Sequence, residues 1–503
     1  MLILIGYVTD SILIKNLNRN YIILVMEASR TVSKDNLRLD IEWLGPIVKG
    51  SIEIKPLTVF IGPNSSGKSY TAMFLYALYN SFTRKYYDYT WREDIDSSYK
   101  NIRNLKTRRD YYSFIYDMLY RSLNEDVYEG LTTVFGNLDL VNVNSNSMKV
   151  SISTKGIKYS ISLKKGKGKG EPHINIEMPE KDVFISLLEE KDKSLQIIRR
   201  GRRPKKDKVI ALEAVSKSMF VLSGRFYYMP ASRSGLIQAH RTISSVIVTT
   251  FSRLSFQGMP KLTGVIADFI ATLISIPDRI IYNRYMDDIY KKESKKFRKN
   301  IKKAIKFLNN SILKGSIYLS DKEELMYKSN ASKLNIPVVR TASGIAELAP
   351  LSLYLEYIIR PNDLLILEEP ESHLHPELQR QIARLLAMLV NRGVRVLITT
   401  HSDYLLHQIN ILLLLSRLSE EDRKRLGYME DEYLNPDDVG AYLFKYDKGE
   451  QGYIIKELPT VDKETDEPGI PEDDLTEVAF TMGKEISKIA YRLEEYKGRK
   501  DAE

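Results

Sequence analysis

The segment Leu57–Ser69, LTVFIGPNSSGKS, restricts the fold of this chain more than any other. Its wholly apolar start, Leu57 to Ile61, reads as a buried strand. Gly62, Gly67, Lys68 and Ser69 then meet the pattern G-x-x-x-x-G-K-[ST]. A helix is predicted next, because Ala72, Leu75, Tyr76 and Tyr79 recur at helical spacing. Chance gives the bare pattern in a chain this long on the order of one time in fifty. The flanking strand and helix are the context it needs. Gly67 lets the backbone approach phosphate oxygens, and N–H groups at the helix start face the β-phosphate. Lys68 offers a point charge to the β- and γ-phosphates, and Ser69 offers a hydroxyl to Mg²⁺. Pro63, Asn64, Ser65, Ser66 and Tyr70 complete the expected cradle for ATP.

A second apolar strand, Leu364 to Leu367, ends in Glu368 and Glu369. A phosphate loop needs such a partner: one carboxylate to hold Mg²⁺, usually through water, and one to orient or deprotonate the attacking water. Glu368 is assigned to the metal and Glu369 to the water. A third strand, Val394 to Thr400, ends at His401, whose imidazole is placed to contact the γ-phosphate. Between them, Leu378, Ile382, Leu385 and Leu389 mark an amphipathic helix with Pro376 in its first turn and Gly393 past its end.

The order GPNSSGKS, TASG (Thr341 to Gly344), LLILEEPESHLHP (Leu364 to Pro376) and ITTHS (Ile398 to Ser402) resembles the ABC-type ATPases of the OLD family and related AAA-type proteins. These share their engine with SMC-like and RecF-like DNA-repair ATPases. The resemblance covers about residues 37–80 and 225–410, and EEPESHLHP is its most specific part. It implies an α/β P-loop fold of ABC-ATPase type: a mixed sheet with helices on both faces, an antiparallel β lobe and a helical insertion. It also implies a site completed across a head-to-tail dimer. Ser343 and Gly344 would then be the signature pair reaching the partner's γ-phosphate, Glu371 to His375 the loop crossing the interface, and His401 the switch histidine. Pro350 is expected to kink the signature helix or start a new turn. Two departures stand out. Glu368 replaces the Asp of many relatives, and Ser65 sits where many have Gly. Gln238 is the candidate for a glutamine loop, and Arg233 is either near the nucleotide or a buried structural arginine. His373 and His375 alternate as zinc ligands can, but two further ligands are not evident.

The rest of the chain divides by pattern. Residues 1–36 are an unassigned N-terminal extension, with Met26 an alternative start. Residues 37–82 carry the phosphate loop. Residues 83–220 are an inserted helical and antiparallel β region, and 221–260 return to the core. Residues 261–340 form a basic helical insertion and a hairpin. Residues 341–410 carry the signature, the acidic strand end and the histidine. Residues 411–503 end in a hairpin around Asp447 and a helix whose apolar face is Leu475, Val478, Met482, Ile486, Ile489 and Leu493. That helix is expected to pack or to make an oligomer contact.

With 503 residues, 43% of them hydrophobic, the chain is long enough for two or three lobes. It has no cysteine, which removes disulfides and Cys-ligated metal sites. No apolar run is long enough to span a bilayer, and the first residues make a poor signal peptide. The lack of cysteine fits a cytoplasmic place, which is the expectation, and the Lys-, Ile- and Tyr-rich usage is thermophile-like. The net charge of +10 is concentrated in Lys164–Gly170, residues 199–208 and residues 291–306. Three such clusters outside the phosphate-site motifs suit salt-sensitive, sequence-independent nucleic-acid binding; solvated faces are the ordinary alternative. The function that the resemblance implies is an ATP-gated dimer coupled to nucleic-acid transactions or anti-phage defence, acting through a separate effector protein. The alternatives are the engine of an ABC transporter, disfavoured by the large insertions and the lack of LSGGQ, and a slow nucleotide-gated scaffold or sensor. A nuclease on this chain is not expected, since Glu430, Asp431 and Glu432 do not follow a strand and read as a solvated acidic loop.

Overall fold

A computed structural model describes residues 37–83, 108–136, 139–154, 157–166, 172–191, 225–239, 263–280, 301–320, 324–472 and 481–490. Their strands, in chain order, are β1 (Leu37–Glu42), β2 (Ile47–Ile54), β3 (Leu57–Ile61), β4 (Ser147–Thr154), β5 (Ile157–Lys164), β6 (His173–Glu177), β7 (Phe226–Met229), β8 (Gly315–Leu319), β9 (Leu325–Ser329), β10 (Asn335–Pro337), β11 (Leu364–Glu368), β12 (Arg395–Thr400), β13 (Val439–Asp447) and β14 (Gly452–Leu458). The helices named below are α1 (Lys68–Thr83), α2 (Arg108–Phe135), α3 (Lys181–Lys191), α4 (Gly264–Ile274), α5 (Ser343–Tyr357), α6 (Pro376–Val390) and α7 (Asp403–Leu414).

Eleven strands form one mixed sheet in the order β6-β5-β4-β1-β2-β14-β13-β3-β12-β11-β7. Strands β8, β9 and β10 form a second, antiparallel sheet. Within the large sheet, β13, β3, β12, β11 and β7 all run parallel. Parallel strands need long crossovers and covered faces, and here the faces are covered. Every residue of β3 and of β11 is buried. Successive side chains go to opposite faces. Phe60, Leu364, Ile366, Leu397 and Phe444 join α1 residues such as Phe74 and Leu75 in one core. Val59, Ile61, Leu365, Leu367, Val396 and Ile398 join α5, α6 and α7 in the other.

The outer strands obey a different rule. In β1 the buried Leu37, Leu39 and Ile41 alternate with the more exposed Arg38, Asp40 and Glu42, the pattern of a half-covered antiparallel strand. Strand β1 pairs with both β2 and β4, so the meander β4-β5-β6 lengthens the main sheet. The hairpin at Asp447 also enters it: β13 lies parallel to β3, and β14 parallel to β2. Helix α6 forms as its period requires, with Pro376 in its first turn and the His375 Nδ1 accepting from the Glu377 N–H at 3.3 Å. Gly393, at φ +79°, follows its end. Helix α5 runs through Pro350 without ending there.

The acidic loop is a correction. Glu432 is fully buried, because Arg384 of α6 reaches it at 2.6 Å and the Met429 N–H donates to the same oxygen at 2.8 Å. Arg384 itself stacks over Tyr428. Asp431 pairs with Arg392. Asp431 and Glu432 tie the acidic segment, which comes after α7, to α6 and to the turn at its end, and of the three carboxylates only Glu430 is largely exposed. In the described part of the terminal helix, residues 481–490, every position is exposed, Met482, Ile486 and Ile489 included. The segments 1–36, 199–208 and 291–300, most of Lys164–Gly170, and Leu475, Val478 and Leu493 lie outside the described residues. Among the described residues no helix is long and apolar enough to cross a membrane.

Candidate functional site

Because β7, β11, β12 and β3 are parallel neighbours, their carboxyl ends share one edge of the sheet. Ile61 stands beside Thr400, Glu368 beside Thr399, and Leu367 beside Met229. The segments that leave these strands are the phosphate loop after β3, Glu369 after β11, His401 after β12 and Pro230 to Arg233 after β7. Open α/β sheets bind ligands at this edge.

The loop's backbone is unusual where it must be. Gly62 has φ +143° and Gly67 φ +100°. A Cβ on Gly62 would sit 2.4 Å from the Phe444 carbonyl oxygen of β13, and one on Gly67 2.9 Å from Ile47. Ser65 has φ +59°, which explains why a glycine suits that position in other such loops. We expect Gly62→Ala to destabilise the chain by roughly 1–3 kcal/mol, since it combines strain with a backbone clash. Chemical denaturation of the ligand-free chain measures this.

Helix α1 begins at Lys68, and the Thr71 N–H makes its first bond, to the Gly67 carbonyl at 2.9 Å. The N–H groups of Lys68, Ser69 and Tyr70 therefore have no partner within the helix, which makes its start an anion site. Lys68 is almost fully buried, and its ammonium donates to the carbonyls of Gly62 and Pro63, both at 2.8 Å. Burial lowers its pKa to about 8, against the pull of Glu369, Glu371 and Glu368. Pro63, Asn64, Ser65 and Ser69 are exposed, whereas the Ser66 hydroxyl is buried without a partner. Tyr70 departs from expectation in its side chain: its hydroxyl donates to the Asp139 carbonyl at 3.1 Å and its ring packs on Phe135. Only its backbone remains for the cradle.

Glu368 is buried, and each of its oxygens takes one hydrogen bond. Tyr228 of β7 donates its hydroxyl to Oε1 at 2.8 Å, and the Ala231 N–H donates to Oε2 at 3.1 Å. Burial, and then the Glu368 charge, push the Tyr228 hydroxyl well up, so it stays a donor. Glu369 is half exposed and left-handed at φ +40°. Its N–H donates to the Thr399 carbonyl at 2.9 Å, and the Ser372 hydroxyl donates to its Oε2 at 3.0 Å. His401 Nε2 lies 4.0 Å from Glu369 Oε1. Burial and then the Lys68 charge hold the imidazole below its usual range, with Glu369 opposing, which favours the neutral ring.

Glu371 does not face outward. Its Oε1 accepts from the Thr400 hydroxyl at 2.7 Å and from the His401 N–H at 2.9 Å. Burial raises its pKa while these bonds oppose the rise. It thereby fixes the backbone that carries His401. No motif announced this role, nor that of Tyr228, which lies on a different strand from its partner.

Ser343 and Gly344 open α5, and no side chain caps that helix start. Ser343 is exposed. Gly344 lies against the turn after β11: a Cβ there would be 3.1 Å from Leu374 and 3.4 Å from the His373 carbonyl. Neither residue bonds to the phosphate loop of its own chain. His375 caps α6 and His373 lies beside Glu347, so the two point to different duties. Arg233 is buried against the carbonyls of Glu368 and Glu369, and Gln238 is exposed.

A family model described as an AAA ATPase domain matches residues 40–406. No curated protein matches the chain. Among solved structures, it is similar to an SMC head domain from Thermotoga maritima, at 11% identity and TM-score 0.34, covering 84% of this chain and 98% of that one. An Smc head domain bound to the C-terminal domain of ScpA from Pyrococcus furiosus is also 11% identical, with TM-score 0.36, covering 90% and 100%. An Smc head bound to the C-winged helix domain of ScpA is 10% identical, with TM-score 0.39, covering 84% and 97%.

Proposed function

This chain belongs to the AAA ATPase domain family, and from that premise we propose that it closes on ATP as a head-to-tail dimer and hydrolyses it at the β3-β12-β11 edge. The observation that carries the proposal is the convergence of Lys68, Glu368, Glu369 and His401 on one edge through parallel neighbours. In this reading the free N–H groups at the start of α1 and the Lys68 ammonium bind the β- and γ-phosphates. Lys68 exchanges its two loop carbonyls for phosphate oxygens. Glu369 accepts the proton of the attacking water, and its 4.0 Å spacing from His401 leaves both groups facing the same γ-phosphate.

The residues fit a divalent cation. Ser69 is exposed, and each Glu368 oxygen keeps a lone pair beyond its one hydrogen bond. These two would hold Mg²⁺, directly or through water, and the ion would neutralise phosphate charge. Tyr228 and the Ala231 N–H orient Glu368 for this.

The exposed, uncapped start of α5 is the surface we assign to the partner's γ-phosphate, through Ser343 and Gly344. OLD-like kinship, a coupling to nucleic acid or to defence through a separate effector, and a cytoplasmic place belong to the same proposal. Exposed Lys164, Lys165, Lys302, Lys303 and Lys306 are the described part of its basic surface. The acidic segment lends no support to a nuclease, because Asp431 and Glu432 are spent on Arg392 and Arg384.

The test mixes two inactive variants. In a head-to-tail pair, Lys68→Ala and Ser343→Arg chains form a heterodimer in which one site carries both lesions and the other carries none. Each variant alone should be inactive, and their mixture should recover ATP hydrolysis. A mixture as inactive as its parts would sink the dimer.

A further inference from the structure

Arg233 stands between the start of α5 and the two carboxylates. Its guanidinium is 1% exposed. Nη1 donates to the Pro230 carbonyl at 3.1 Å and to the Glu368 carbonyl at 2.5 Å, and Nη2 donates to the Glu369 carbonyl at 3.1 Å. Nε donates to the Glu347 carbonyl at 3.3 Å and lies 3.2 Å from Glu347 Oε2. Glu347 is equally buried, and its Oε1 accepts from the Ser234 hydroxyl at 2.9 Å. An arginine is always charged, so this one requires a buried carboxylate, and Glu347 supplies it.

Two features make this more than a core ion pair. Glu347 is four residues after Ser343 on α5, so the two lie one above the other on the same helix face. Whatever Ser343 and Gly344 engage therefore bears on Glu347. At the far end, Arg233 grips the carbonyl of Glu369, the residue held at φ +40°. A non-glycine residue persists there only where its surroundings over-determine it. Three residues do so: the Thr399 carbonyl and hydroxyl oxygens take the Glu369 N–H, and the Ser372 N–H, at 3.1 Å, shares the Glu369 carbonyl with Arg233, the only side chain among its donors.

We infer that Arg233 and Glu347 are positioning residues that couple engagement of Ser343–Gly344 to the orientation of Glu369. When α5 is docked on a partner's phosphate, Glu347 draws Arg233 against the Glu368 and Glu369 carbonyls and fixes the general base. When it is not, the left-handed turn relaxes and hydrolysis slows. Arg233 touches neither the nucleotide nor the attacking water. Its effect passes through the backbone of Glu369. The inference rests on the dimer reading above.

A double-mutant cycle tests it. Glu347→Gln keeps the shape and the Ser234 bond and removes the charge. At saturating ATP it should lower kcat at least tenfold and leave the ATP dissociation constant within about twofold, a split that a merely structural role would not give. In a chain already carrying the milder Ser343→Ala, which weakens the engagement and slows turnover without abolishing it, Glu347→Gln should cost clearly less than in the wild type, because part of the engagement it relays is gone. Additive losses in kcat, or equal losses in binding and kcat, would overturn the inference. If Glu347→Gln does not fold, Ser234→Ala, which removes only the hydroxyl held by Glu347, takes its place in the cycle with the same expectations. Failure of the dimer reading looks different: the mixture of Lys68→Ala and Ser343→Arg chains then recovers nothing, whatever the cycle shows.

Discussion

In a Glu369→Gln chain, ATP binds at least as tightly as in the wild type, while hydrolysis falls by about 10²- to 10⁴-fold, the usual worth of a positioned general base. The substitution keeps the side chain's size. The Ser372 hydroxyl can donate to the amide oxygen as it does to the carboxylate, at 3.0 Å in the wild type. The left-handed backbone is held from outside the side chain, by Arg233, the Ser372 N–H and the Thr399 carbonyl. What is lost is the group that takes a proton. Removing its charge has two further effects with definite signs. Glu369 is the strongest of the charges raising the Lys68 pKa, and it also raises that of His401, so both pKa values fall in the variant. Loss of a negative charge beside the phosphates favours ATP binding, so the variant should accumulate as an ATP-bound dimer. Single-turnover hydrolysis and size-exclusion chromatography with ATP measure the two halves of this prediction. Wild-type turnover would remove Glu369 from its role and make the buried Glu371, whose pKa burial raises, the next candidate.

The groups proposed for this chemistry are legible in the sequence because each sits at the end of a short apolar strand. Glu368 and Glu369 follow LLIL, His401 follows VLITT, and the loop follows LTVFI. A strand that is apolar on both faces and then abruptly polar announces where the chain leaves a sheet edge, and that is a local signal. The neighbours of those strands were not local. That β13 lies against β3, near enough for the Phe444 carbonyl to exclude a side chain at Gly62, depends on a parallel pairing across most of the chain. The same holds for the Tyr228 hydroxyl on Glu368 and for Arg233 on the Glu369 carbonyl, 136 positions away. Glu432 reads as solvated in the sequence for a related reason. An acidic residue in a polar stretch looks solvated until its partner is known, and Arg384 lies 48 positions earlier, on a helix. A period gives a helix its buried face, but it does not say which charge on that face reaches across to another segment.

Lys68→Ala should weaken ATP binding roughly 10- to 150-fold, the worth of one charge-assisted contact of about 1.5–3 kcal/mol. The wild type should in addition show a pH dependence that the variant lacks. Lys68 is buried, its pKa lies near 8 before ATP arrives, and phosphate oxygens favour only the ammonium form. Below pH 8 the ammonium is already present and affinity is insensitive to this group. Above pH 8 the free chain has lost the proton and must regain it on binding. Affinity then falls by up to tenfold per pH unit until the raised pKa of the complex is passed. Between those values ATP binding takes up a proton, which calorimetry in buffers of different ionisation enthalpy counts directly. Stability moves the other way. The folded, ligand-free chain holds this proton less tightly than the unfolded chain, whose lysine titrates near 10.5. The Lys68 contribution to stability therefore rises as pH climbs from about 8 towards 10.5, and it is read as the difference between wild-type and Lys68→Ala unfolding over that window. A wild type whose ATP affinity stays level from pH 7 to pH 10 would mean that the ammonium remains on the Gly62 and Pro63 carbonyls and is not the phosphate ligand.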